Sequence, residues 1–334
     1  MQIAQLGELG LIHRLEQLLG QEQTLAPGVI GIGDDTAVIP PPSTLLLATT
    51  DSLFEGVDFR LDQISWHDLG WKALAVNLSD IAAMGGVPQY ALVALGLPAS
   101  VDVAAIDDLY RGMLEIGRAY DAAIVGGDLS AAPQVSISVT VLGSQPEGWG
   151  GADGLLRRNA AVPGHQIAVT GALGGSAAGL RMLQKGERFG PEVEAGLRSA
   201  HFRPRPRVAE GQALLRAGVR CAIDVSDGLL RDLGHICRAS GVDAVVEAAR
   251  VPASAAATAA YGQEAMRLAL TGGEDFELLC CGTAVALERA RRQMDVPLTV
   301  VGQVTGPGPG RVTVRDAEGR ELHLEQSGWD HFLP

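Results

Sequence analysis

The sequence predicts a mixed α/β (α+β) chain in two domains, and three observations carry that expectation. Its 334 residues exceed what one ordinary core holds. Short apolar runs bounded by Gly, Ser or Thr are interleaved with stretches of helical apolar spacing along the whole chain. The turn-rich stretch Ser144-Gln145-Pro146-Glu147-Gly148-Trp149-Gly150-Gly151 parts two structured halves, so domains are expected at 1–145 and 146–334.

In chain order, Leu9, Ile12, Leu15 and Leu18 or Leu19 have helical spacing, and Gly20 is expected to close that helix. Two strand-like runs follow, Val29 to Gly33 before Asp34 and Asp35, and Leu45 to Thr50 before Asp51. The turn Pro40-Pro41-Pro42-Ser43 separates them. Ser65 and Asp68 form a capping pair. The helix they open, Leu69 to Met84, is small or apolar nearly all round and hence buried on most sides, yet Asp80 lies inside it. After Gly85-Gly86 come a strand from Tyr90 to Leu97 and a helix with Ile106, Leu109, Met113 and Ile116 on one face. A strand to Asp128 and another from Ser136 to Leu142 complete the first half.

The second half opens with a strand from Gln166 to Thr170, and Gly171-Ala172-Leu173-Gly174-Gly175-Ser176 leads from it into a helix. Arg203-Pro204-Arg205-Pro206-Arg207 is stiffened by proline before the next helix. Cys221-Ala222-Ile223 ends at Asp224, and Ser226 is expected to cap a helix carrying Leu229, Leu230, Leu233, Ile236 and Cys237. Leu268-Ala269-Leu270 reads as another apolar run before Glu274 and Asp275. Alternation at Leu298–Val304 and Val312–Val314 suggests late strands.

A net charge of −13 argues against nucleic acid or an anionic membrane as the main partner, and makes a phosphorylated substrate depend on metals or a few arginines for counter-charge. Arg157-Arg158 is the obvious source in the second half, although solvated surface arginines would look the same. The four cysteines, Cys221, Cys237, Cys280 and Cys281, show no C-x-x-C or His-paired spacing and read as core hydrophobes in a reducing compartment. No signal-like N-terminus or membrane-length apolar run is present, so a soluble, cytoplasmic protein is expected.

The recurrent motif is an apolar run closed by a small-residue turn and an acid, at Asp35, Asp51, Asp128, Asp224 with Asp227, and Glu274 with Asp275. Carboxylates at several strand ends can converge, and unpaired they repel one another and are costly to desolvate, so a shared cation is the natural partner. An all-oxygen donor set favours magnesium or calcium over zinc. Each acid also has a plain alternative: a turn for Asp34-Asp35, a cap for Asp51, a favourable first-turn acid for Asp227. Asp80 is harder to explain away, because a carboxylate amid alanine and leucine must be paired or metal-bound unless it faces a surface groove. Gly126-Gly127-Asp128 and Gly174-Gly175-Ser176 suggest loops whose N–H groups reach an anion. No G-x-x-x-x-G-K-[ST] occurs, the Gly31-x-Gly33 pair lacks its third glycine, and nucleophile patterns for Ser or Cys are absent.

Taken in order, GIGDDTAVI (31–39), TTDSLFEGVDF (49–59), WKALAVNLSDIAAMGG (71–86), GGD (126–128), IDVSDGLLRDLGHI (223–236), TGGEDFEL (271–278) and GWDHF (328–332) resemble the thiamine-monophosphate kinase family. That family belongs to the superfamily named for aminoimidazole ribonucleotide synthetase. The resemblance implies a small N-terminal sheet with helices on one face, paired into a barrel across a homodimer, and a larger C-terminal α/β layer, with ATP held between domains. It implies transfer of the γ-phosphoryl group of ATP to thiamine monophosphate, giving thiamine diphosphate. By position, Asp35, Thr49, Thr50, Asp51, Asp80, Asp128, Asp224 and Asp227 would hold several magnesium ions. Gly127, Asp128, Arg158 and Ser226 would contact ATP, and Glu274 and Trp329 the thiamine moiety. Asp58 stands where the family has a substrate-contacting histidine, and it can accept from an aminopyrimidine or bind another metal.

An acceptor that is already an ionised phosphate requires no strong general base; charge neutralisation and in-line alignment suffice. Two other readings remain open on the sequence. One is an ATP-dependent synthetase or maturation enzyme of the same superfamily, and the other a nucleotide-and-metal sensor without turnover.

Overall fold

The computed structural model describes residues 1–32, 36–149 and 151–324. The chain divides into two compact units, the first Met1–Ile81 with Val87–Glu147, the second Ala82–Gly86 with the chain from Gly148 onward.

The first unit begins with α1 (Ile3–Leu6) and α2 (Glu8–Glu22). Leu11, Leu15 and Leu19 form the buried stripe of α2, whereas Leu9 is 81% exposed. Gly20 does not end this helix, which runs a further half-turn to Glu22. A glycine inside a helix costs only about 1 kcal/mol, and the leucine stripe that precedes it outweighs that. Over its described part the expected strand at Val29–Gly33 is limited to bridges, at Ile30 to Val38 and at Ile32, with Ile30 exposed.

The unit's sheet comprises β1 (Leu46–Phe54), β2 (Val87–Leu97), β3 (Ala123–Ala131) and β4 (Ser136–Ser144), in the order β1-β4-β2-β3. Only β2 and β3 run parallel. Helices α3 (Trp66–Ala83) and α4 (Val103–Ala119) supply Leu69, Leu74, Leu78, Ile106, Leu109, Met113 and Ile116 to the core beside Val93, Leu95, Val139 and Val141 of the sheet. Ser65 caps α3, its Oγ accepting the Asp68 N–H at 3.0 Å. On β1 the alternate residues Leu46, Ala48, Thr50, Ser52 and Phe54 lie on the other face and are exposed.

Two glycines set the approach of α3 to α4. A Cβ on Gly70 would lie 1.8 Å from the Leu109 carbonyl oxygen, and one on Gly112 would lie 1.8 Å from that of His67. Both obstacles are backbone, so the helices must separate to admit a methyl group. Gly112→Ala is expected to cost about 3 kcal/mol, the upper range for overpacking. Chemical denaturation checks this, and a loss below about 1 kcal/mol, ordinary for any substitution, would contradict the close-packing account.

The second unit holds β5 (Gln166–Thr170), α5 (Gly175–Lys185), α6 (Pro191–Phe202), α7 (Val208–Ala217), β6 (Cys221–Asp224), α8 (Leu229–Ser240) and β7 (Val242–Glu247). It continues with α9 (Ala255–Tyr261), α10 (Glu264–Thr271), β8 (Leu278–Gly282), α11 (Ala284–Arg291), β9 (Leu298–Pro307) and β10 (Val312–Arg315). The run at Leu268–Leu270 therefore lies in a helix, not a strand. The six strands form one mixed sheet, β10-β7-β9-β5-β8-β6. Strand alternation splits its residues between two cores. Ile167, Val169, Cys221, Ile223, Leu279 and Cys281 pack with Leu229, Leu233 and Ile236 of α8. Ala168, Ala222, Leu278 and Cys280 pack with Leu214 and Leu215 of α7 and Leu287 of α11. The sheet is thus covered on both faces, and all four cysteines are free and buried.

Candidate functional site

In the first unit, Thr49 and Asp51 are two residues apart on β1 and so share the face covered by α3, from which Asp80 projects. The Thr49 hydroxyl donates to Asp80 Oδ2. Asp51 and Asp80 are in contact, and the Asp51 carboxyl is pushed up to about 6, first by burial and then by the Asp80 charge. Two carboxylates and a hydroxyl facing one another are a donor set made wholly of oxygen, suited to a hard divalent cation. Thr50 is not brought to this group. It points to the opposite face, where its hydroxyl donates to the Val139 carbonyl at 3.1 Å and accepts from Thr140 at 3.0 Å.

Asp51 and Asp128 were expected at strand ends, and both instead lie inside strands. Thr-Thr-Asp continues the β1 pairing opposite Val141, Thr140 and Val139. Gly126, Gly127 and Asp128 belong to β3, paired with Leu92, Val93 and Ala94, and are not a loop. Gly127 is needed there, since a Cβ would lie 1.8 Å from the Val93 carbonyl oxygen. β3 is an edge strand whose outer side is covered at Ile124 by the Gln23 amide, while Gly127 and Asp128 beyond it are exposed. With two strands between β1 and β3, Asp128 stands ~14 Å from Asp51 at ordinary strand spacing. The first unit therefore presents two acidic positions rather than one cluster.

Asp58 lies in the turn after β1 and is half-buried, its Oδ2 accepting the Phe54 N–H at 2.8 Å. Asp35 and Trp329 lie outside the described residues.

In the second unit, Asp224 ends β6, 2% exposed. The loop to α8 carries Ser226 and Asp227. Ser226 does not cap α8. That task falls to Asp232, whose Oδ2 accepts the N–H groups of Ser226, Asp227 and Gly228 at 3.1, 3.1 and 3.0 Å. Burial, then the charges of Asp224 and Asp227, push the Asp232 carboxyl up to about 8. Asp227, Asp232 and His235 each bring a ligand atom within 4.8 Å of the others. Asp227 also pairs with Arg231 at 3.2 Å.

The segment after α10 folds against this loop. The Glu274 N–H donates to the Ser226 carbonyl at 2.7 Å and the Phe276 N–H to that of Val225 at 2.9 Å. Gly273 permits the approach, because a Cβ there would lie 2.5 Å from the Ser226 carbonyl oxygen. Asp224, Ser226, Asp227 and Glu274 are thereby brought together. Arg158 is exposed, and its charge helps hold the His235 imidazole below its ordinary pKa, after burial and Arg238. Arg157 is committed to Asp153 at 3.2 Å. The glycine turn at Gly174–Ser176 is no open anion cradle: Asp275 accepts the N–H groups of Gly174 and Ser176 at 2.6 and 3.1 Å. Asp232, the turn-filling role of Asp275 (named in the sequence only as an acid closing an apolar run) and His201 escaped the sequence reading. The signal for the first two was present, as acids inside the IDVSDGLLRDLGHI and TGGEDFEL segments.

The family model described as AIR synthase related protein, N-terminal domain, matches residues 33–145, and its C-terminal counterpart matches residues 162–315. The thiamine-monophosphate kinase of Escherichia coli (strain K12) is 41% identical over 311 residues, 91% of this chain and 92% of that protein. The crystal structure of thiamine-monophosphate kinase from Stenotrophomonas maltophilia K279a is similar, with a TM-score of 0.80 and 36% identity over 93% of this chain and 96% of the other. AaThiL complexed with AMPPCP and TMP matches with a TM-score of 0.75 and 32% identity, covering 99% of both chains.

Proposed function

The chain belongs to the thiamine-monophosphate kinase family of the AIR synthase related proteins, and we propose that the acids described above are the site of its reaction. That reaction transfers the γ-phosphoryl group of ATP to thiamine monophosphate. A terminal phosphate oxygen of thiamine monophosphate attacks the γ-phosphorus, and the β–γ bridging oxygen leaves with ADP. The observation that carries this reading is the 41% identity to a thiamine-monophosphate kinase over 91% of the chain, joined to the carboxylate pair Asp51 and Asp80.

The oxygen donors fit magnesium. Thr49, Asp51 and Asp80 would hold it in the first unit with Asp35, Asp128 would do so on β3, and Asp224 and Asp227 in the second unit. Bound magnesium neutralises charge on the phosphates of two crowded anions. The chain's residues do the rest. Gly127 and Asp128 offer an exposed strand edge to ATP, with Ser226 and Arg158 as further contacts. Glu274, Asp58 and Trp329 receive the thiamine moiety. No side chain need take a proton, because the attacking oxygen is ionised at neutral pH.

A homodimer is supported by the uncovered sheet face with Leu46 56% and Phe54 50% exposed. A cytoplasmic location is supported by the four free cysteines. Among the described residues no helix is long and apolar enough to cross a membrane.

Purified protein given ATP, magnesium and thiamine monophosphate should form thiamine diphosphate, read by fluorescence after oxidation, with one ADP per product. ATP consumed only with a different acceptor would favour a synthetase or maturation activity. ATP bound without turnover would favour a sensor.

A further inference from the structure

Glu274 is held by a device that the reaction as described does not use. Glu274 and Phe276 have positive φ angles of +64° and +51°. Side chains rarely accept that left-handed conformation, and it persists where surroundings over-determine it, often at functional sites. The surroundings here are specific. The N–H groups of both residues are bonded to the Ser226 and Val225 carbonyls. Asp275 between them is fastened to the first turn of α5 through Gly174 and Ser176. The backbone is thus clamped on both sides, while the Glu274 side chain stays 32% exposed.

A buried imidazole meets that side chain. His201, in the last turn of α6, is 5% exposed, with Nδ1 3.4 Å from Glu274 Oε2 and 2.9 Å from Ser176 Oγ. It is seated by Gly179 of α5, where a Cβ would lie 2.4 Å from the Leu197 carbonyl oxygen and 3.0 Å from the His201 Cβ. Ser, His and Glu in contact suggest a nucleophile triad, but the geometry excludes one. Serine and glutamate meet the same ring nitrogen, and Ser176 is 1% exposed.

We infer that His201, braced by Ser176, is a positioning residue that fixes the Glu274 carboxylate for the organic half of thiamine monophosphate. That half carries a cationic thiazolium and an aminopyrimidine with N–H donors, both complementary to a carboxylate held in one orientation. The inference rests on the reading of Glu274 as a substrate contact. An unbraced glutamate would have to be ordered by the substrate itself, at a cost in binding. His201 contacts Ser176 and Glu274, so its effect is expected on the organic substrate.

The test compares His201→Gln, Ser176→Ala and Glu274→Gln in steady-state kinetics with both substrates varied, alongside thermal unfolding. His201→Gln is expected to raise KM for thiamine monophosphate about tenfold, the scale on which one polar contact to a charged group is lost. Its KM for ATP and its kcat should stay within about threefold of the parent, as when ground-state and transition-state binding are lost equally. Ser176→Ala should shift the same constant less, and adding His201→Gln to Glu274→Gln should cause little further loss. If Glu274→Gln raises KM and His201→Gln does not, the positioning role is overturned while the substrate contact stands. If Glu274→Gln leaves KM unchanged, the contact itself fails and the inference falls with it. If His201→Gln lowers Tm and degrades both KM values together, its role is structural, and the inference is again overturned.

Discussion

Replacing Asp80 by asparagine is expected to lower turnover by at least about a thousandfold at saturating ATP, magnesium and thiamine monophosphate, the scale on which transition-state charge stabilisation is lost. The amide keeps the shape of the carboxylate and still accepts the Thr49 hydroxyl, so α3 and β1 should remain docked. What disappears is one of two negative charges facing each other across that junction. The sign of the stability change follows from Asp51. Its carboxyl is raised from 3.8 to about 6 by burial and by Asp80, so ionising it costs more folded than unfolded. That penalty is absent below about pH 4, grows through the interval, and is complete above about pH 6. Relieving the Asp80 part of it should leave the metal-free variant at least as stable as the parent at pH 7.5, with the difference vanishing toward pH 4. Magnesium should raise the Tm of the parent more than that of the variant, since a ligand stabilises the state that binds it. Near-normal turnover in Asp80→Asn would remove the basis for assigning the pair to a cation.

Local patterns in the sequence disclosed much of this architecture. The apolar helix around Asp80, the Ser65 cap, the four strands of the first sheet and β5, β6, β9 and β10 of the second follow from spacing alone, whereas Val242–Glu247 and Leu278–Gly282 were not anticipated, and the ordered motifs carried the family. Two of the failures share a physical cause. Whether Thr49-Thr50-Asp51 ends a strand or continues it depends on the partner strand, and β4 lies some ninety residues further on. Leu268–Leu270 is too short a run to tell helix from strand. Its place in α10 follows from Ala265, Ala269 and Leu270 packing on one side. The glycine turn at Gly174 looked open to an anion because the carboxylate that fills it, Asp275, stands about a hundred residues away in the chain. Ser226 has the right residue type to cap α8, yet the helix uses a carboxylate from its own first turn. Long-range partners decide the cases of Asp51 and of the Gly174 turn, and no window of ten residues contains them, whereas the other two were settled by close neighbours.

Asp232 tests whether that internal carboxylate matters to chemistry as well as to folding. Asp232→Ala is expected to reduce turnover about a hundredfold and raise the magnesium concentration needed for half-maximal rate, as loss of a ligand-orienting partner does at metal sites. Three successive N–H groups converge on one of its oxygens, and two belong to Ser226 and Asp227. Alanine leaves all three without their partner and frees the loop that presents both side chains. Asparagine keeps one acceptor oxygen in place, so Asp232→Asn should recover most of the rate. The charge has its own signature. Because Asp232 is raised from 3.8 to about 8 in the folded chain, its ionisation opposes folding increasingly as pH rises through that range. The metal-free parent should therefore lose stability between pH 5 and pH 8 more steeply than Asp232→Asn, which cannot ionise. If Asp232→Ala folds with the parent's turnover and magnesium requirement, the loop holds its shape without the carboxylate, and Asp232 is only a helix cap.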